Sequence, residues 1–577
     1  MAVFLSFVVL YMYQALLPAP KPTPARQERP VSQQASAPAS ATNAPGEAPK
    51  APEVAAEKPA PASEPVVADA EERVVVVETR VFRAEFSNRG AVLKSWRLKQ
   101  FNDNGGRPLD LVPSGLPAEF PRPFALRLDD AQLTRRLNEA LFKAGGAAGS
   151  GASIDASGGP VTLVFDYQEA SGLQARKEFR IEPDSYVVGF SAAVTDAGKV
   201  LNPSVQWGPG LGDVGTTGET SRYVQRAEGL LFADGKVQRL NAAALAKQSR
   251  YEGNVRFGGV DDHYFLTTIV NTGSARVDYR PVSVPIAGSQ PPATRDFVAY
   301  DASFPKPPSG VRFFFGPKDF DLLRSVDPEL VRAINFGWFS WLCVPLLTSL
   351  KWINRFVGNY GWSIILLTVL INLVMFPLRH KSVVSMRKMQ EIQPEVKAIQ
   401  DRYAKLKTTD PALQKMNVEL INLYREKGVN PASGCIPMLL TMPVLFAFYS
   451  LLSAAIEIRG APFILWITDL SMHDPLYVTP VMMGVSMVVQ QRMTPTTVDP
   501  AQQKIMMIMP VVFTFMFLYA PSGLVLYWLV SNVWAIGQQA VTNRLIGPPV
   551  VRTVRPPAER RVKRVGAGKT EAASEKP

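Results

Sequence analysis

Four runs in the C-terminal half carry no charged residue: Phe356 to Leu378, Gly428 to Ile456, Pro475 to Gln491 and Ile505 to Asn543. About 30 Å of hydrocarbon takes about 20 helical residues to cross, and one Asp, Lys or Arg at its centre costs about 2.5–3.5 kcal/mol. Uncharged apolar runs of this length predict membrane spans. The first two make one span each, and the third is short but sufficient. The last is twice too long for one helix, and Pro521-Ser522-Gly523 divides it. The expected spans are 356–378, 433–456, 475–491, 505–520 and 522–543. A sixth is read at 1–17, an uncleaved anchor: no Ala-x-Ala-like site directly follows this apolar run, and no cysteine of the lipoprotein kind. The run is short and lacks preceding basic residues, so a few residues including a Lys or Arg are expected ahead of it. The remainder is of another kind. Forty-nine prolines and a net charge of +12 accompany 47% apolar content, which predicts segments of different character rather than one uniform fold.

Orientation follows from Lys and Arg. Between Arg379 and Pro431 there are eleven Lys/Arg against six Asp/Glu, and from Arg544 onward nine against three, whereas the loop 457–474 has one Arg against three acids. The basic segments 379–432 and 544–577 are therefore expected in the cytoplasm with the loop 492–504 and both termini. Everything between the first and second spans is expected outside. Neither Cys343 nor Cys435 falls in the outer domain, so a core must hold it.

Residues 18–70 hold most of a proline-rich, aromatic-free stretch that cannot bury enough to fold and is read as an extended linker. From 71 to 320 the chain reads VVVVETRVFRAEF, VTLVFDY, KEFRIE and YVVGFSAAV: short β-branched and aromatic runs separated by turn residues. This predicts a large antiparallel β-sandwich ending at about Pro317. Residues 328–355, with Trp338, Trp341 and Trp352 among apolar and basic positions, predict an amphipathic helix in the membrane interface. Within 379–432 the helical spacing of Met386, Met389, Ile392, Val396, Ile399 and Tyr403, resumed at Met416, Leu420 and Leu423, predicts a two-helix hairpin.

The three histidines lie on separate segments, and no metal cluster follows from them. No phosphate-binding glycine loop and no nucleophile elbow stand out. The chain is read as no enzyme, without catalytic residues, metal or cofactor. Polar residues instead recur at selected depths. Thr368, Asn372 and Arg379 share one helical face; Thr441, Ser486, Gln490, Ser531 and Asn532 lie at matching depth in other spans. Two readings stand side by side: hydrogen bonds that hold helices together, or a shared wet cavity open to the cytoplasm. A transporter for a small solute is the competing class. It calls for a midplane site built with inverted repeats or broken helices, and the break at Pro521 falls near the outer surface.

The stretches NPASGCIPMLLTMPVLFAFYSLL, APFILWITDLSMHDPLYVTPVMMG, QRMTPTTVDPAQQKIMMIMPVVFTFMF and PSGLVLYWLVSN closely resemble the YidC/Oxa/Alb family of membrane protein insertases, of the Gram-negative type with a large periplasmic domain. The resemblance runs from about Phe336 to Arg544, with weaker matches at TRVFRAEFSNRGAVLKSW and DDHYFLTTIV. It implies a polytopic α-helical protein of the bacterial inner membrane, with six transmembrane helices, a five-helix core and a periplasmic β-supersandwich. The implied function is insertion and folding of nascent membrane proteins, alone or beside the Sec translocon, without ATP hydrolysis. The implied site is a hydrophilic groove closed toward the periplasm, to which Thr368, Asn372, Thr441, Ser486, Gln490, Tyr527, Ser531 and Asn532 are assigned. Arg387, Lys388, Arg402 and Lys405 of the hairpin are assigned to recruitment, and the hairpin and basic tail to the ribosome. Family members usually carry an arginine five residues before the proline of the span's closing Pro-Leu; here that position is Asn372, five before Pro377, and no Lys or Arg within a span is expected to replace it.

Overall fold

The computed structural model describes residues 64–103, 105–113, 116–117, 119–149, 153–212, 227–285, 294–403, 412–429, 436–493 and 500–546. The expected anchor at 1–17, most of the linker and nearly all of the basic tail lie outside these residues.

Residues 64–317 form two packed sheets, one of fourteen strands and one of five among the described residues. The smaller runs Pro108–Asp110, Val92–Asn102, Phe82–Ser87, Val74–Glu78, Ser153–Asp155, and its last pair is parallel in an otherwise antiparallel domain. The expected linker ends sooner than residue 70: Pro65–Val67 already pairs with Val161–Glu169. Proline is tolerated there because it opens an edge strand.

Period-two alternation sets what each strand buries. In Gln174–Ile181 the inward positions are Ala175, Lys177, Phe179 and Ile181. Phe124 stands in an aromatic cluster, its ring 5.0 Å from Phe179 and from Phe190, and 5.1 Å from Phe313. Trp96 of the smaller sheet donates its indole N–H to the Phe315 carbonyl of the larger at 3.1 Å, joining the two layers. Lys177, 1% exposed, sits inside the core, and among the described residues no carboxylate pairs with it. Its ammonium donates to the carbonyls of Gly90 (2.6 Å), Phe124 (2.8 Å) and Ala91 (3.2 Å). Burial pushes its pKa down to about 7.

Among the described residues two helices, α1 (Ala131–Glu139) and α2 (Ala242–Lys247), lie within the sandwich segment, and α3 (Phe320–Val326) follows its last strand. Asp319 caps α3 by accepting the Leu322 amide at 2.8 Å. The expected interfacial helix is partly 3₁₀: short turns at Leu330–Ala333 and Gly337–Phe339 precede α4 (Ser340–Val357). Gly337 adopts a φ of 65°, which breaks the run.

The bundle comprises α5 (Tyr360–Glu391), α8 (Ile436–Ala454), α9 (Val478–Met493), α10 (Pro500–Phe517) and α11 (Ser522–Ile546). The break at Pro521-Ser522-Gly523 falls between α10 and α11. No break separates the span at 356–378 from the basic segment after it, because α5 runs on through Pro377 to Glu391. Among the described residues one helix, Tyr360–Ser385, is long and apolar enough to cross a membrane; Met442–Ala454 and Met506–Phe517 are apolar but shorter. The helices α6 (Gln393–Tyr403) and α7 (Ala412–Glu426) pair as a hairpin around Ile392, Val396 and Val429.

Candidate functional site

On α5 the positions i, i+4 and i+11 are linked in a chain of hydrogen bonds. The Thr368 hydroxyl donates to the Ile364 carbonyl at 2.6 Å, and the Asn372 amide donates to the Thr368 carbonyl at 2.8 Å. The Arg379 guanidinium then donates to Asn372 Oδ1, also at 2.8 Å. Thr368 and Asn372 are buried. A long side chain beside the end of an apolar run can turn its head along the helix toward a polar partner. Here the head turns inward, so a cation meets Asn372. No Lys or Arg lies within the span 356–378 itself; the cation comes from the residue just after it.

Opposite, Ser486 of α9 accepts from the Asn532 amide of α11 at 3.1 Å and donates to the Met483 carbonyl at 2.6 Å. On another side α9 packs closely against α10: a Cβ at Gly484 would collide with Thr514. Tyr527 is buried and stacks on Phe448 of α8 with ring centroids 4.3 Å apart; its hydroxyl reaches Ser531 and lies in the field of Arg379. The structure thus brings Thr368, Asn372 and Arg379 together, pairs Ser486 with Asn532, and sets Tyr527, bonded to Ser531, near the guanidinium. Gln490 is half-buried one turn beyond Ser486. Thr441 belongs to α8, but its side chain lies outside the described residues.

Sequence reading passed over Gln538, Gln539 and Thr542 on α11, all buried. The amide nitrogen of Gln538, the hydroxyl of Thr542 and the indole N–H of Trp534 have no hydrogen-bond partner among the described residues, and these three positions recur at four-residue spacing on one face. That spacing was the available signal. Buried polar atoms without protein partners call for water or a polar guest.

Of the assigned recruitment residues, Lys388 is exposed. Arg402 pairs across the hairpin with Glu419 at 2.9 Å. The Arg387 side chain and Lys405 fall outside the described residues.

A second junction joins the sandwich to the bundle. His263 Nε2 lies 2.5 Å from the Ser453 carbonyl at the end of α8, and burial pushes its pKa down to about 4. Arg459 stands 4.8 Å from the Phe265 ring and donates to the Asn102 carbonyl at 3.2 Å. Lys351 of α4 contacts Asp321 (2.6 Å), Asp319 (3.3 Å) and Glu457 (3.3 Å). Burial alone would lower its pKa, but the three carboxylates raise it above the usual lysine value.

Helices with exposed apolar faces and polar groups buried between them, joined to a β-sandwich, define a membrane protein with a large extramembrane domain. Known proteins narrow this class. The family described as YidC periplasmic domain matches residues 74–349, and that described as 60Kd inner membrane protein matches residues 352–548. A membrane protein insertase YidC of Geobacter metallireducens is 35% identical, with 94% of this chain and 98% of that protein covered. Another from Citrifermentans bemidjiense is 37% identical over the same shares. A solved structure of an active YidC insertase with its first transmembrane domain resolved is 20% identical, covers 83% of this chain and 95% of that one, and superposes with a TM-score of 0.33. The chain belongs to the YidC family of membrane protein insertases. It is an inner-membrane protein with a periplasmic domain, and it acts on nascent membrane proteins.

Proposed function

We propose that insertion proceeds through the polar interior formed by Thr368, Asn372, Arg379, Ser486, Tyr527, Ser531 and Asn532, with Thr441 and Gln490 at the same depth. The observation that carries this reading is the Asn372–Arg379 pair, a charge-assisted hydrogen bond within helices whose outer surfaces are apolar. Six spans cross the membrane, both termini are cytoplasmic, and the groove opens to the cytoplasm.

No fuel is required. A polar flank of the nascent chain enters the wet interior, so less hydrocarbon opposes its crossing. Each Leu, Ile, Phe or Val that then partitions into lipid gains about 0.3–0.6 kcal/mol, and a span of such residues offsets a few charged ones. Arg379 offers acidic flanks a guanidinium that Asn372 holds in place. The hairpin receives substrate through Lys388, with Arg387, Arg402 and Lys405 assigned to the same task. The basic tail meets ribosomal RNA by charge, and the Sec translocon is a partner for larger substrates.

The test compares substrates with acidic and neutral translocated tails in proteoliposomes. Arg379→Gln should slow the acidic class about tenfold and the neutral class little. A cysteine at 372, with Cys343 and Cys435 replaced, should react with a water-soluble maleimide from the cytoplasmic side. Equal effects on both classes, with no labelling, would make the polar pair a helix-packing device only.

A further inference from the structure

A cavity of about 150 Å³ opens where α4 meets α3, walled by Phe320 and Leu347 and edged by Asp321, Thr348, Lys351, Trp352 and Arg355. Drug-sized ligands use pockets of about 300–1,000 Å³, so this one suits a small polar group. Its rim combines three kinds of surface. Arg355 is exposed, and among the described residues no hydrogen bond or ion pair engages its guanidinium. The Asp321 carboxylate touches Lys351 yet its side chain stays 64% exposed, with acceptor capacity to spare. Trp352 and Phe356, 58% and 75% exposed, meet edge to face at 5.0 Å on the outer side of α4.

That aromatic pair extends a stripe. Trp341, Pro345, Thr348 and Trp352 recur at helical spacing on the exposed face of α4, whose opposite face buries Cys343, Leu347 and Leu350. Exposed tryptophans beside cations are what a membrane interface selects. The charges choose among headgroups. Lys351 and Arg355 stand against Asp319, Asp321 and Glu457, two cations against three carboxylates. A headgroup with net negative charge meets an excess of acid here, whereas one carrying a phosphate and an ammonium can engage both Arg355 and the exposed side of the Asp321 carboxylate.

We propose that this cavity seats the headgroup of a phospholipid bearing a primary amine, its phosphate on Arg355, its ammonium on Asp321, and its acyl chains along Trp352 and Phe356. The site would anchor α4, and through Lys351 the sandwich, to the outer leaflet. It rests on the reading that α4 lies in the outer interface, and that reading is tested separately.

The full-length protein, solubilised in mild detergent from vesicles holding equal parts of phosphatidylethanolamine, phosphatidylcholine and phosphatidylglycerol, is examined by native mass spectrometry for retained lipid. The ethanolamine lipid should be retained about tenfold over the other two, as expected for charge-assisted hydrogen bonds that a methylated amine or a glycerol cannot make. Arg355→Ala should lower its retention about tenfold, and Asp321→Asn should abolish the preference for ethanolamine over choline. Equal retention of the three lipids, or retention unchanged in Arg355→Ala, overturns the proposal. A fluorophore on Trp352→Cys, with Cys343 and Cys435 replaced, reports position: quenching by lipids brominated near the headgroup supports the interfacial placement. Absence of quenching overturns that placement itself, whereas quenching without lipid preference removes only the headgroup assignment.

Discussion

The sandwich and the bundle solve opposite problems with the same residue types. Up to Pro317, the exposed large hydrophobics among the described residues are Val66 and Val200, while from Trp338 onward such residues recur on every bundle helix. Buried polar atoms without a hydrogen-bond partner among the described residues occur in both regions: the hydroxyls of Tyr186 and Tyr300 and one Asp261 oxygen in the sandwich, and atoms of Trp534, Gln538 and Thr542 in the bundle. Each costs about 1–3 kcal/mol if it stays dry. What differs is arrangement. In the sandwich the buried cation Lys177 is closed by three carbonyls, whereas the three bundle positions recur at four-residue spacing along one helix face. The contrast teaches that the sandwich hides its apolar surface and closes its buried charge, while the bundle turns apolar surface outward and lines up its open polar atoms.

Four measurements can break or sharpen this contrast. The largest effect is expected in the sandwich: Phe124→Ala removes the centre of the aromatic cluster and should destabilise that domain by about 3–5 kcal/mol, read as lost hydrogen-exchange protection of Val311–Pro317 in the full chain. A change below about 1 kcal/mol would mean the sandwich core is as loosely specified as the bundle interior.

Lys177→Met should cost about 2–3 kcal/mol, because three carbonyls lose their donor. Its titration has a definite sign. With the folded pKa near 7 and the unfolded value at 10.5, the unfolded chain binds the extra proton between these values. Stability should therefore rise as pH increases from 7 toward 10.5 in the parent protein, and this rise should be absent in Lys177→Met.

The junction between the regions should respond to acid. His263 is held neutral, with its pKa at about 4 against 6.5 when free. Docking is fully favoured above pH 6.5 and weakens as pH falls toward 4, by about 2 kcal/mol between pH 7 and pH 5. Proteolysis of the segment between Asp319 and Ser340 should accelerate over that interval, and His263→Gln should remove the dependence. A profile unchanged by the substitution would show that His263 does not hold the junction.

The smallest effect on stability belongs to the bundle. Asn532→Leu breaks the contact to Ser486, worth about 0.6–2 kcal/mol at most in membranes, and added apolar burial offsets part of it. Thermal stability should change by less than about 1 kcal/mol while insertion of substrates with polar tails falls severalfold. A large loss of stability with insertion intact would place Asn532 among the packing residues.

How much of this was legible varies with the range of the interaction. The uncharged runs, the break at Pro521, the β-branched strands and the Ile392–Val396 side of the hairpin follow from local period and chain length, which each segment carries alone. So does the shared face of Thr368, Asn372 and Arg379, since helical spacing fixes it. Tertiary structure decided what those faces meet. That Ser486 finds Asn532 depends on how closely α9 approaches α11. That Arg379 turns inward depends on a flexible side chain choosing Asn372 over water. Lys177 alternates with its inward neighbours, yet only the approach of Gly90, Ala91 and Phe124 makes a lysine tolerable there. The junction of His263 with Ser453 joins residues 190 apart in the chain, beyond the reach of any local pattern. Local spacing sets which groups share a side; packing across the fold sets which of them are paired, and so which remain free to bind.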